Sequence, residues 1–170
     1  QEEITRELLG YSKKELEIAL KEMEVSFLRW QLDTGAVADS YEYLQKTISN
    51  LNEEYSGLTN YLNLINDQMK LFTEGTSEYQ DLLSQATDVK HKLAKLKIEI
   101  DNTAVKAAVA EIERLAESNN ISILTAIDRY ADSITSKMSE AQKKAFKDIV
   151  KDMRVSSYEE IMSTIDEYTK

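Results

Sequence analysis

Residues Tyr41, Leu44, Ile48, Leu51, Tyr55, Leu58, Leu62, Ile65, Met69 and Phe72 step alternately three and four apart, and every one is large and apolar or aromatic. A stripe this long and narrow is the pattern of a coiled-coil seam rather than of a broad globular face. After the interruption "TEGTS" the pattern resumes at Tyr79, Leu82, Ala86, Val89, Leu93, Leu96 and Ile100, and small residues at 103, 107 and 110 extend it. The two runs mirror each other about the Gly75–Thr76 bond: Phe72 faces Tyr79, Leu58 faces Leu93, Leu51 faces Ile100, and Leu44 faces Ala107. Gly75 stands where a left-handed residue would end one helix, and Ser77 with Gln80 reads as a capping box opening the next. The spacing therefore predicts a helical hairpin with its turn near 73–77.

Composition supports helices of this length. The chain has 170 residues, no proline and only four glycines, so helix breakers are nearly absent. Apolar residues at 42% allow a core beside 31% charged ones. Cysteine is missing, which removes disulfides, thiolate metal sites and cysteine nucleophiles. The formal charge of −10 argues against nucleic acid as partner, since phosphate binding needs clustered Lys and Arg. No apolar run reaches the length of a membrane span. The chain opens on Gln1 with no signal-peptide pattern, which reads as a fragment of something longer.

Before the hairpin, Ser12 to Glu15 reads as a capping box, with Gly10 ending a short preceding turn. Leu16, Leu20, Met23, Phe27 and Trp30 form the seam of this first helix, and Thr34-Gly35 stops it. Ile18, Val25, Leu28 and Leu32 form a second stripe, so the helix is expected to touch more than one neighbour. It is placed along the base of the hairpin, leaving residues 56–95 as two projecting helices. Beyond Ile100 the apolar phase shifts to Val105, Ala108, Ile112 and Leu115, which implies a new packing partner in the C-terminal segment. There one helix is expected from about residue 120 to 137. Ser139 to Gln142 caps the next, burying Phe146, Ile149 and Met153; Ser157 to Glu160 caps the last, burying Ile161, Ile165 and Tyr168. The expected fold is all-α: a long antiparallel coiled-coil hairpin, a third helix along its base and a small C-terminal helical cap. The division falls into residues 1–118 and 119–170.

Chemistry is sparse. Asp88 and His91 have helical ligand spacing, but a dinuclear carboxylate site needs two such pairs with inward glutamates, and Lys90 and Lys92 flank the histidine. Asp128 with Asp132, and Glu159 with Glu160, are explained by helix surfaces and helix starts. Gly57 reads as a point of close helix approach, and Asn120-Ile-Ser122 as a chance glycosylation pattern. No catalytic, cofactor-binding or metal residue is expected. Candidate partner contacts are Val25, Leu32, Tyr43 and Tyr61, together with Lys90, Lys92, Lys95 and Lys97 as a basic patch for an acidic partner.

The stretches "QLDTGAVADSYEYLQKTISNLNEEYSGL" and "KLFTEGTSEYQDLLSQ" carry the phrasings TG…Y-x-x-L and GT-x-x-Y-x-x-L over about residues 31–85. In these the chain resembles helical segments of phage tape measure proteins. The resemblance implies a role in setting tail length and lining the tail tube, carries over no catalytic residue, and implies one segment of a much longer chain. The expectation is a non-enzymatic structural or interaction module, cytoplasmic or virion-associated. Its partners would be proteins, with self-association through the hairpin as one option. A secretion chaperone or an injected or secreted effector is the alternative, with a helical enzyme or metal carrier behind it.

Overall fold

The computed structural model describes residues 2–36 and 40–169, with the side chains at 2–9, 11, 157, 161, 164, 168 and 169 outside the description. The described residues form five helices: α1 (Glu2–Thr34), α2 (Tyr41–Met69), α3 (Ser77–Ser118), α4 (Ile123–Thr135) and α5 (Glu140–Thr169). There are no strands among the described residues. The chain divides into two compact units, one of Gln1–Val37 with Lys46–Ile100 and the other of Ala38–Gln45 with Asp101–Lys170. The division falls inside α3, close to where the apolar phase of its sequence changes.

In the first unit the core gathers Leu58, Tyr61 and Ile65 of α2 with Leu82, Ala86, Val89 and Leu96 of α3; Leu16 of α1 packs on it, half-buried. Each residue of the two heptad runs from Tyr41 to Ile100 is buried or half-buried. Burial of such a stripe stabilises by about 1.5–3 kcal/mol per large side chain, which is what holds helices whose polar faces make few fixed bonds. The link between α2 and α3 is built from local bonds. The Leu71 and Phe72 amides donate to the carbonyls of Gln68 and Met69, tightening the end of α2. Gly75 then takes φ 89°, and the N-cap of α3 is Thr76, whose hydroxyl accepts from the Tyr79 amide at 3.3 Å. The cap expected at Ser77 thus sits one residue earlier.

α1 stays helical through Gly10 and Ser12, so neither a preceding turn nor a cap exists there. One glycine costs about 1 kcal/mol in a helix interior, too little to break a helix so long. Its end comes as expected at Gly35, φ 66°, whose amide donates to the Gln31 carbonyl at 2.9 Å. α1 also reaches the link between α2 and α3: Gly10 and Lys13 share a cleft with Gln68, Phe72 and Glu78. The two longer helices therefore do not stand alone there, which corrects the projecting-arm expectation.

In the second unit Val105, Ala108, Ile112 and Ala116 of α3 pack with Ala126 and Ile127 of α4 and with Phe146 of α5. Just past the end of α3, Asn120 takes the left-handed φ of 53° in place of a glycine. The Ile121 amide reaches back to the Ala116 carbonyl and the Asn120 amide to that of Glu117, the paired bonds of a Schellman ending. Ser122 caps α4 through the Thr125 amide. The box at Ser139–Gln142 forms reciprocally: the Gln142 amide donates to Ser139 Oγ and the Ser139 amide to Gln142 Oε1. Gln142 Nε2 goes on to donate to Asp101 at 2.7 Å, tying α5 to α3.

α5 departs most from expectation. It is one helix through Ser157, with no second cap. Phe146 is fully buried, but Ile149 is exposed and Val150 packs on the core in its place. Ile165 is exposed as well, while Ile161 and Tyr168 lie outside the described side chains.

Candidate functional site

The packed side of α1 carries Leu16, Leu20, Met23, Phe27 and Trp30, all half-buried. At 100° per residue, Ile18, Val25, Leu28 and Leu32 lie roughly half a turn round the helix from that side. They are open to solvent: Val25 is 56% exposed and Leu32 84%. Glu15, Glu22 and Asp33 border this outer stripe on one side, Glu17 and Glu24 on the other, while Lys14 and Lys21 lie in the stripe and Arg29 at its edge, all exposed. The two candidate contacts read from the sequence on α1, Val25 and Leu32, are thus brought together on one face with Ile18 and Leu28.

The other candidates scatter. Tyr43 is half-buried, and its amide donates to Ser40 Oγ at 3.3 Å. Tyr61 belongs to the core, 9% exposed, with its hydroxyl donating to Gln85 Oε1 at 3.5 Å. It faces inward because it shares a buried stripe of α2 with Ile65 and Gln68, spaced four and three, which Phe72 continues just past the helix end. Lys90, Lys92, Lys95 and Lys97 are exposed on α3, as are Asp88 and His91. Among the described residues no three His, Cys, Asp or Glu side chains come together as a metal site. Asp128, four residues before Asp132, accepts from Arg154 at 2.6 Å, a bond that links α5 to α4. Among the described residues no helix is long and apolar enough to cross a membrane.

No family model, no curated protein and no solved structure matches this chain.

Two places carry unusual electrostatics. Glu54 on α2 lies within the influence of Glu99 on α3 and Glu24 on α1; burial and then these two like charges push its pKa above the usual carboxylate range, with Lys92 partly offsetting them. Gln68 is buried to 1% exposure, and its amide oxygen has no hydrogen-bond partner. Sequence reasoning passed over Gln68, although a polar residue on the stripe Tyr61–Ile65–Gln68–Phe72 was visible as a break in an apolar pattern. It also missed Val155, Tyr158, Met162 and the placement of Ile165, an exposed run stepping three, four and three along α5. Cutting α5 at Ser157 hid that run.

Proposed function

We propose that this chain is a non-enzymatic helical interaction module in which α2 and α3 form an antiparallel coiled-coil hairpin and the outer face of α1 receives a partner helix. The observation that carries the reading is the double-sided α1. One apolar stripe is used up in packing, and the opposite one, Ile18, Val25, Leu28 and Leu32, is exposed in full view of solvent. A helix apolar on two opposite sides needs two neighbours. The hairpin is supported by the core shared between α2 and α3, by Gly75 at positive φ, and by the Tyr61–Gln85 bond between them.

The flanks of the stripe are acidic, while Lys14 and Lys21 stand in the stripe itself. A partner helix with apolar heptads and Lys or Arg at its edges fits both the stripe and its flanks. The same logic suits a segment of an elongated assembly of the tape measure kind, where lateral helix contacts rather than chemistry do the work.

Two synthetic helices with identical leucine heptads, one edged with lysine and one with glutamate, test the proposal. Binding of the lysine-edged helix alone, abolished by Leu32→Asp, is the expected result. Equal binding of both helices, or of neither, rules out this face as the docking surface. Spin labels at positions 55 and 96 test the hairpin separately: close approach is expected, whereas a single rod would hold them about 60 Å apart.

A further inference from the structure

The apolar seam that α2 shares with α3 is buried unevenly. Leu58 and Ile65 of α2, with Leu82, Val89 and Leu96 of α3, are buried, whereas Tyr55, Leu62 and Met69, with Tyr79 and Leu93, are only half-buried. The cause is α1. Leu16 packs at Gly57, and Gly10 shares a cleft with Tyr61 and Gln68, so α1 covers the side of α2 that carries residues 57, 61 and 68. Tyr55, Leu62 and Met69 lie about 100° round the helix from Tyr61, on the flank that α1 leaves open. Among the described residues of the first unit nothing else covers that flank, and its half-buried side chains still have apolar surface to lose. A fourth helix laid in this groove would complete a bundle.

The rim of the groove is basic. Lys90 and Lys97, exposed and seven apart, stand three before and four after Leu93 on α3. Across from them α2 offers Asn52, Thr59 and Asn66, none of them charged. Glu53, Asp67 and Asp88 lie about a third of a turn or more from the seam, and Asp101 already accepts from Gln142 at 2.7 Å. The groove therefore suits a helix with apolar residues at three-and-four spacing and carboxylates seven apart along one edge.

This chain carries such a helix. Val155, Tyr158 and Met162 of α5 are exposed, Tyr158 by 64%. They lie about two-fifths of a turn round from Phe146, Val150 and Met153, which hold α5 to the core of its own unit. Asp152 and Glu159, exposed and seven apart, follow one edge of the stripe. On the other edge Arg154 is held by Asp128, and Lys151 precedes the stripe. The side chains outside the description at 157, 161 and 164 are serine, isoleucine and threonine, which add no charge.

We propose that the C-terminal half of α5 of one copy docks in the open α2–α3 groove of a second copy. Val155, Tyr158 and Met162 meet Tyr55, Leu62 and Leu93, while Asp152 and Glu159 meet Lys90 and Lys97. Each chain carries both halves of this contact, so association runs head to tail and stops only where a ring closes. Three apolar anchors are few against the roughly 20–30 residues a side of a stable interface, so the contact is weak and needs high concentration. It does not rest on the docking role of the outer α1 face.

Sedimentation velocity of the whole chain at rising concentration and low salt tests this. A mass that climbs above that of one copy is expected. Lys90→Glu with Lys97→Glu, and separately Asp152→Lys with Glu159→Lys, should each give a monomer where the natural chain associates. An equimolar mixture of the two variants should associate again. Both variants stay net negative from a starting charge of −10, so recovery in the mixture is not bulk attraction. Tyr158→Ser should weaken association roughly tenfold, as for one aromatic anchor. All the substituted positions are exposed, and circular dichroism checks that the helices persist. A mass independent of concentration, association untouched by either reversal, or a mixture that stays monomeric overturns the proposal. So does association that Leu32→Asp abolishes and the reversals do not, which would move self-association to α1.

Discussion

Leu16 Cδ1 occupies the space that a Cβ on residue 57 would need; the two atoms would be 2.6 Å apart. Leu16 of α1 thus packs directly on the α2 backbone at Gly57, and the glycine there leaves space for it. In an exposed helix interior Gly→Ala gains about 1 kcal/mol. Here Gly57→Ala must push Leu16 off its rotamer, at a cost of about 0.5–1.5 kcal/mol, so the net change should be close to zero. In a Leu16→Ala background the obstruction is gone, and Gly57→Ala should regain the full helical benefit. Urea unfolding of the four proteins measures the coupling, expected at about 1 kcal/mol. Additive effects would show that the two helices do not meet at this point.

Glu54 predicts a pH dependence. Its pKa is raised in the folded chain, chiefly by burial and then by Glu99 and Glu24. Between the ordinary carboxylate value and that raised value the folded state binds more protons than the unfolded one. Stability contributed by this group therefore rises as pH falls through the window, and at neutral pH the charged carboxylate is a burden. Glu54→Gln should raise the melting temperature at pH 7 and flatten its rise between pH 7 and the carboxylate range. A variant less stable at pH 7 would mean that Lys92 outweighs the two glutamates.

Two serines that look alike in the sequence should behave oppositely. Ser139 caps α5 through the Gln142 amide, and Gln142 returns the bond. Ser139→Ala should cost about 1 kcal/mol. Ser12 heads the same kind of tetrapeptide but lies inside α1. Ser12→Ala should be neutral or stabilise by up to about 0.5 kcal/mol, following propensity alone. Thermal unfolding of both variants gives the contrast.

That pair shows what the sequence could and could not convey. Periodicity was legible because it is a property of the whole helix: the heptad runs of α2 and α3, and the phase change to Val105 and Ile112, each correspond to a buried surface. Local signals were not reliable, since a capping box stabilises by only about a kilocalorie and yields to a helix that gains more by continuing. Gly10 and Ser157 failed for this reason, and the boundary inside α5 failed with them. Of the candidate contacts, Val25 and Leu32 are exposed on one face of α1, as their offset from the packed stripe implied. Tyr61 was misread because the reading gave α2 one seam, whereas packing by three helices gives it two buried stripes. Gln68 was overlooked for the same reason.

Asn120 offers a test of backbone strain. It holds φ 53° at the end of α3, and the Schellman bonds to Glu117 and Ala116 depend on that conformation. Asn120→Gly keeps the geometry with no Cβ penalty and should leave stability unchanged or raise it by up to about 1 kcal/mol. Asn120→Val, β-branched and ill suited to positive φ, should cost at least about 1–2 kcal/mol. Loss of stability in both variants would mean that the asparagine side chain, rather than its backbone, is what the turn needs.

The outer and inner faces of one unit should separate stability from binding. Ile65 is fully buried in the core that α2 shares with α3, and Ile65→Ala should cost about 2–5 kcal/mol through lost contacts and the cavity left behind. Leu32 is almost fully open on α1, so Leu32→Ser removes no packing and should change stability by less than about 0.5 kcal/mol. Denaturant unfolding of the two variants, set beside binding of the lysine-edged helix, distinguishes the roles: Ile65→Ala should lose stability first and Leu32→Ser should lose binding alone. A large stability loss in Leu32→Ser would place that residue in the fold of this chain and remove the argument for a partner on α1.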